Sequence, residues 1–204
     1  MTTINLMKKN TTAEDVYSND PEPWGQSNFG TKEKKELVIF LCKYCKKNLK
    51  INKILELGCG LGYYTELINK KLELKIIGTD ISETAINKCD ERLKNSIKFQ
   101  KLDVCNDEDF DIINQIKPDL FLMLDITWFL LDNLKELIKK LKQKFSGKYL
   151  LHFLAFPEKQ DLGTEYFDSH EKMLEYFDLE YIFTGKTSFH ENNRKYYSYF
   201  LAKI

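Results

Sequence analysis

Apolar positions along the chain fall into two kinds of stretch. Short, almost wholly apolar runs alternate with longer stretches whose apolar positions recur at helical spacing. The runs at 53–57, 75–79, 97–102, 120–124 and 149–155 predict strands. Between them, 63–72, 82–93, 108–116 and 131–145 predict helices, with Ser82 as an N-cap and Gly147 closing the fourth. A helix over 31–47 precedes the first strand and is expected to bury Leu37, Val38, Phe40, Leu41 and Tyr44, and a helix over 169–177 follows the fifth. Two last runs, 180–186 and 195–203, lie too close together for a helical crossover and predict an antiparallel hairpin at the sheet edge. Strands alternating with helices give an α/β fold, a doubly wound, seven-stranded sheet that is mostly parallel. Residues 1–30 lack periodicity and hold Pro21, Pro23, Gly25 and Gly30, so they read as an irregular arm with a short helix near 13–17, and 31–204 as the core of the same single domain.

Charge narrows the partners. Lys plus Arg and Asp plus Glu number 31 each, so no net field favours nucleic acid or an anionic membrane. The lysines of 32–47 read as a solvated helix face. The five cysteines are odd in number and irregular in spacing, which excludes a disulfide framework. Cys42 and Cys45 fall in a helical apolar run with no second pair to complete a zinc site, so they read as buried thiols and no metal is expected. The N-terminus lacks the long apolar stretch of a signal peptide, and the apolar run 120–131 is too short to span a bilayer and is cut by Asp125. A soluble, cytoplasmic protein is the expectation.

The chemistry concentrates in Ile54-Leu-Glu-Leu-Gly-Cys-Gly-Leu-Gly-Tyr63. A strand that must reverse quickly into a helix, with a ligand close to its backbone, needs glycines, and the N–H groups at the helix start favour an anion. A dinucleotide site has Gly-x-Gly-x-x-Gly, whereas here Glu56, Gly58, Gly60 and Gly62 alternate with other residues. Cys59 fills a small-residue slot. Asp80 ends the second strand, 22 residues after Gly58, where a carboxylate can accept from vicinal ribose hydroxyls. Asp103 and Asp125 end the third and fourth strands, on the sheet edge where ligands of such folds bind.

This segment resembles motif I of the class I, S-adenosylmethionine-dependent methyltransferases, whose fold is Rossmann-like, and the terminal hairpin suits that family. The resemblance implies that Glu56, Gly58, Cys59, Gly60 and Gly62 curve around the methionine part of the cofactor. It implies that Asp80 meets the ribose, with Ile81 next to it, and that Asp103 meets the adenine amino group, with Val104 beside it; Asp125 is a further cofactor-binding candidate. Asp20-Pro-Glu-Pro-Trp-Gly25, followed by Phe29 and a Lys-rich helix, is similar to the arm of the NodS-like small-molecule methyltransferases. That likeness implies an arm folded over the site, Trp24 covering the cofactor, and Lys35 at a basic position. Two departures, Cys59-Gly60-Leu61-Gly62 for the family's Ser-Ile-Gly and Leu124-Asp125 for its Ser-Glu, mean that N-methylation is not inherited.

The acceptor should sit over the C-terminal strand ends, beside loop 156–170 and turn 187–194. His170 and His190 are candidate general bases there, with Asp125 and Glu158 behind them, while His152 lies within a strand and reads as a core histidine. Tyr166, Phe167, Tyr181 and Phe189 are candidate lining or packing residues. No Asn/Asp-Pro-Pro-Tyr/Phe follows the fourth strand, which argues against a nucleic-acid base as acceptor. The resemblance implies a small polar acceptor, a hydroxyl of a sugar or nucleotide-sugar of a surface polysaccharide, with S-adenosylhomocysteine as product. N-methylation of an amino sugar or small amine is the alternative, and a non-catalytic S-adenosylmethionine-binding partner protein is another. An NAD oxidoreductase would need the other glycine spacing and leaves Asp103 unused. Tyr196, Tyr197 and Tyr199 offer either a homodimer surface or a cover for the last helix.

Overall fold

The computed structural model of the chain describes residues 11–28, 32–93, 96–188 and 194–204. Phe29, Phe189 and His190 lie outside the described residues. Among the described residues seven strands form one sheet of order β3-β2-β1-β4-β5-β7-β6, mostly parallel, as the alternation of runs predicts. Contacts divide the chain into two compact units, Met1–Asp103 and Val104–Ile204.

The first unit runs α1 (Ala13–Asn19), a 3-10 turn (Gln26–Asn28), α2 (Lys32–Asn48), β1 (Lys53–Leu57), α3 (Tyr63–Leu72), β2 (Lys75–Asp80), α4 (Glu83–Leu93) and β3 (Lys98–Lys101). β1 pairs with β2 and β2 with β3, both parallel. After their first residue β1 and β2 are buried at every position, which explains why both are largely apolar on both faces. A capping box starts α1: Asp15 N–H donates to Thr12 Oγ1 (3.1 Å), and Thr12 N–H donates to the Asp15 carboxylate (3.0 Å). Ser82 caps α4 as expected, its Oγ accepting from Ala85 N–H at 3.1 Å. In α2 the buried residues are Lys34, Val38, Leu41, Cys42 and Cys45, whereas Phe40, expected inside, is 63% exposed. Phe40 falls outside the stripe that positions 34, 38, 41 and 45 trace at spacings of three and four.

The second unit runs α5 (Asp107–Ile116), β4 (Leu120–Leu124), a 3-10 turn (Thr127–Phe129), α6 (Leu131–Lys144), β5 (Tyr149–Pro157), α7 (His170–Phe177), β6 (Glu180–Thr187) and β7 (Arg194–Lys203). β4 and β5 pair in parallel; β7 is antiparallel to both β5 and β6. The hairpin is present, with β7 inserted between β5 and β6 and β6 forming the edge. Edge position explains why β6 buries no residue. The three tyrosines offered as a dimer surface or as a cover for the last helix lie on the inserted strand: Tyr197 is buried, Tyr196 stacks on Phe156 and Tyr199 on Phe153.

Candidate cofactor and acceptor site

In the first unit, β1 ends in a turn whose Gly58, Gly60 and Gly62 all take positive φ (69°, 52° and 70°). Conformation and space both require glycine at two of them. A Cβ on Gly62 would come within 2.6 Å of the Phe99 ring, and one on Gly60 would strike the Gln26 side chain and lie 2.5 Å from Tyr17 Oη. Arg92 ties the turn from outside, donating to the Leu61 carbonyl at 2.9 Å with its guanidinium 4.3 Å from the Tyr63 ring centroid. Cys59 N–H donates to the Thr79 carbonyl (2.8 Å), which fixes the turn to the end of β2.

Two buried carboxylates underlie the turn. Asp80 Oδ2 accepts from Gly60 N–H at 2.8 Å and Oδ1 from Ser82 N–H at 3.0 Å. Burial still raises its pKa, against the lowering effect of those backbone bonds. Glu56 is 2% exposed and accepts a bond from Thr65 Oγ1. Burial pushes its pKa up to about 7, Thr65 opposes the rise and nearby Asp80 adds to it. Both acids would therefore gain from a cation. Cys59 is buried, and desolvation raises its thiol far above the ordinary value, so it fills space rather than attacks. Asp103 follows β3 and is half-buried, and Ile81 is half exposed beside Asp80.

The arm reaches this turn. Tyr17 packs with Leu61 and Ala85, and Trp24 lies against that cluster. Gln26 Oε1 accepts from Leu61 N–H at 2.8 Å. Glu14 fastens α1 to the start of α4 by accepting from Ser82 Oγ (2.7 Å), Thr84 N–H (3.2 Å) and Thr84 Oγ1, and these bonds pull its pKa down to about 2. Lys88 Nζ donates to the carbonyls of Tyr17 (2.6 Å) and Asp20 (3.1 Å). Sequence reasoning missed Tyr17, Gln26 and Lys34. The fully buried cation of α2 is Lys34, its Nζ 5.7 Å from the Tyr64 ring centroid, while Lys35 is only half-buried.

In the second unit, Val104 is buried. Asp125 takes φ 58° just past β4, donates N–H to the Phe153 carbonyl (2.9 Å), and accepts from Ala155 N–H at 2.8 Å. His152 is a core histidine, as its place in a strand suggested: Nε2 pairs with Thr127 Oγ1 at 2.7 Å, and the ring lies flat on Phe200. Its Nδ1 has no partner among the described residues, and burial drives the pKa down to about 3. His170 begins α7 with its Nδ1 2.6 Å from Ser198 Oγ; desolvation lowers its pKa, and it is only 6% exposed. Glu158 is exposed. Phe167 is wholly buried core, Tyr166 Oη donates to Asp132 at 2.6 Å, and Tyr181 Oη donates to the Leu174 carbonyl at 2.6 Å. Among the described residues no group of three or more His, Cys, Asp or Glu could hold a metal, and no helix is long and apolar enough to cross a membrane.

Residues 54–144 match the family model described as a methyltransferase domain. These residues, which include the glycine turn and Asp80, thus carry a methyltransferase domain, and the match covers under half of the chain. No curated protein sequence matches the chain. Among solved structures it is similar to the CurJ carbon methyltransferase, with a TM-score of 0.70 at 16% identity over 93% of this chain and 60% of that one. It is also similar to the N-methyltransferase NodS from Bradyrhizobium japonicum WM9 in complex with S-adenosyl-L-homocysteine, with a TM-score of 0.62 at 13% identity over 90% of this chain and 93% of that one. A third similar structure is the bifunctional kinase-methyltransferase WbdD, with a TM-score of 0.67 at 18% identity over 90% of this chain and 42% of that one. The chain thus spans 60% of the CurJ structure and 42% of WbdD, under two thirds of each, and these likenesses show the fold alone. S-adenosylmethionine would fit the first unit: its cationic methionine end suits the buried Glu56, its ribose hydroxyls suit Asp80, and the Cβ-free turn admits a close approach to the backbone.

Proposed function

We propose that the protein transfers the methyl group of S-adenosylmethionine to a hydroxyl of a small polar acceptor, a sugar or nucleotide-sugar used in a surface polysaccharide. The observation that carries the reading is the glycine turn set over Glu56 and Asp80, two buried acids with raised pKa. Glu56, Gly58, Cys59, Gly60 and Gly62 hold the methionine end, Asp80 and Ile81 the ribose, Asp103 and Val104 the adenine, and Trp24 closes the arm over them. When bound, the cofactor presents a methyl on cationic sulfur, which departs as the neutral thioether of S-adenosylhomocysteine. The work left to the chain is to align the hydroxyl, exclude water and accept its proton.

Asp125, His170 and His190 are the candidate acceptors of that proton. Asp125 is the favoured base: it is half-buried just past the end of β4, with Oδ1 accepting from Ala155 N–H, whereas the His170 ring is enclosed against Ser198. The test is turnover on a panel of nucleotide-sugars, with product analysis and with Asp125→Asn, His170→Ala and His190→Ala compared at equal cofactor affinity. A 100-fold or greater loss of kcat in one variant only is expected, in line with the roughly 10²–10⁴-fold worth of general-base catalysis. If all three keep full turnover, the assignment of a base fails. Methyl found on nitrogen would overturn the hydroxyl reading.

A further inference from the structure

A cleft of about 440 Å³ opens between the start of α7 and the ends of β6 and β7, lined by Ser169, Glu171, Lys186, Thr187, Ser188 and Tyr196. Its size falls in the roughly 300–1,000 Å³ range of small-molecule sites. Its chemistry is specific. Lys186 Nζ and Glu171 Oε1 form an ion pair at 2.7 Å, and the same ammonium stands 5.8 Å from the Tyr196 ring centroid. Tyr196 is fixed in place: Phe156 stacks on it with centroids 5.0 Å apart, and its hydroxyl accepts from His170 N–H at 3.1 Å. Glu171 already complements the N-terminal end of α7 and neutralises Lys186, so the cleft offers no net charge to a phosphate or carboxylate. A half-buried aromatic ring beside paired polar donors and acceptors suits a neutral polyol with an apolar C–H face.

The place of the cleft gives it meaning. Asp125 bonds to Ala155, Ala155 pairs with Tyr197, and Tyr197 pairs with Thr187, so one line crosses the sheet from the end of β4 to the cleft. That line crosses three strand spacings to Thr187, about 14 Å, and two to β7, which carries Tyr196, about 10 Å at roughly 4.8 Å each. A ring held at the cleft therefore sits well away from a hydroxyl placed at Asp125.

We propose that this cleft is a distal saccharide subsite, with Tyr196 as platform and the Glu171–Lys186 pair as hydroxyl ligands, so that the acceptor is an extended saccharide of several rings rather than a lone sugar. The proposal rests on the sugar-acceptor reading above. The test is saturation-transfer NMR on the full chain with a panel of methyl pyranosides and their di- and trisaccharides, alongside turnover on the same panel. Binding is expected to strengthen at least tenfold from mono- to trisaccharide. Tyr196→Ala and Lys186→Met should each weaken it several-fold to tenfold, whereas Tyr196→Phe, which keeps the ring, should not. Lys186 is exposed enough that its variant should fold normally, which melting curves would verify. If no saccharide binds, or if binding ignores Lys186→Met and chain length, the subsite is refuted. Saccharide binding that depends on Tyr196 without any methyl transfer would keep the subsite and sink the sugar-methylation reading. Methylation of a monosaccharide as fast as of its trisaccharide, unaffected by both variants, would do the reverse.

Discussion

Replacing Glu56 by Gln should stabilise the protein at neutral and alkaline pH while removing cofactor binding. The Glu56 pKa stands at about 7 in the fold against an ordinary 4.5, and the first cause is burial. A raised carboxyl pKa stabilises the fold fully below the unfolded value, and that contribution is lost as pH rises through the folded one. The window is therefore pH 4.5 to 7, and the loss is the shift of about 2.5 units at 1.36 kcal/mol each, about 3 kcal/mol by pH 8. Gln fills the same space and can still accept from Thr65 Oγ1, so it removes the charge with little else. The assay is urea unfolding of both proteins at pH 4.5, 6, 7 and 8, with calorimetric titration of S-adenosylmethionine at pH 8. Comparing variant with wild type at each pH cancels the other titrating groups. The two proteins should match at pH 4.5 and diverge in favour of the variant by about 3 kcal/mol at pH 8, where only the wild type binds cofactor. Parallel stability curves across the range would refute the claim that an ionised Glu56 strains the empty fold.

His152 works in the opposite sense: its depressed pKa of about 3 means the unfolded chain binds the extra proton first, so stability falls as pH drops below about 6.5, by about 3 kcal/mol at pH 4. A His152→Gln variant should lack that acid slope in urea titrations. Glu14→Ala should unfasten α1 from α4, read as faster amide exchange over Ala13–Asn19 with unchanged exchange in β1; equal exchange in both proteins would show that the Ser82 and Thr84 bonds do not hold the arm. Gly60→Ala should displace Gln26 and Tyr17 and strain the left-handed backbone, costing at least 1–2 kcal/mol, and melting together with the quantum yield of Trp24 would report both.

The glycine turn and the acidic strand ends were readable because each answers a local demand: a fast reversal, a close ligand, a carboxylate at a strand terminus. Lys34 was readable in principle, since it stands in phase with Val38, Leu41 and Cys45, and the same phase excludes Phe40. The habit of reading a lysine as solvated hid the one and the apolar side chain misplaced the other. The order β5-β7-β6 had a signal as well. β7 buries Tyr197, Phe200, Leu201 and Ala202 and reads as an interior strand, while β6 alternates with Glu180, Thr184 and Lys186 and reads as an edge. Tyr17 and Gln26 had none, because the arm carries no period and its docking depends on long-range contacts, Glu14 with Ser82 and Thr84 at the start of α4 and Lys88 of α4 with the arm's Tyr17 and Asp20 carbonyls. The enclosure of His170 by Ser198 was equally hidden, since it joins a helix start to a strand 28 residues later.

The central claim is that the Glu56–Asp80 turn holds a cationic methyl donor, and calorimetric titration of the full chain with S-adenosylmethionine and, separately, with NAD tests it most directly. Saturable binding of the methyl donor, abolished by Asp80→Ala, is expected, with no binding of NAD. Binding of NAD without the methyl donor would contradict the claim and reassign every residue of the site.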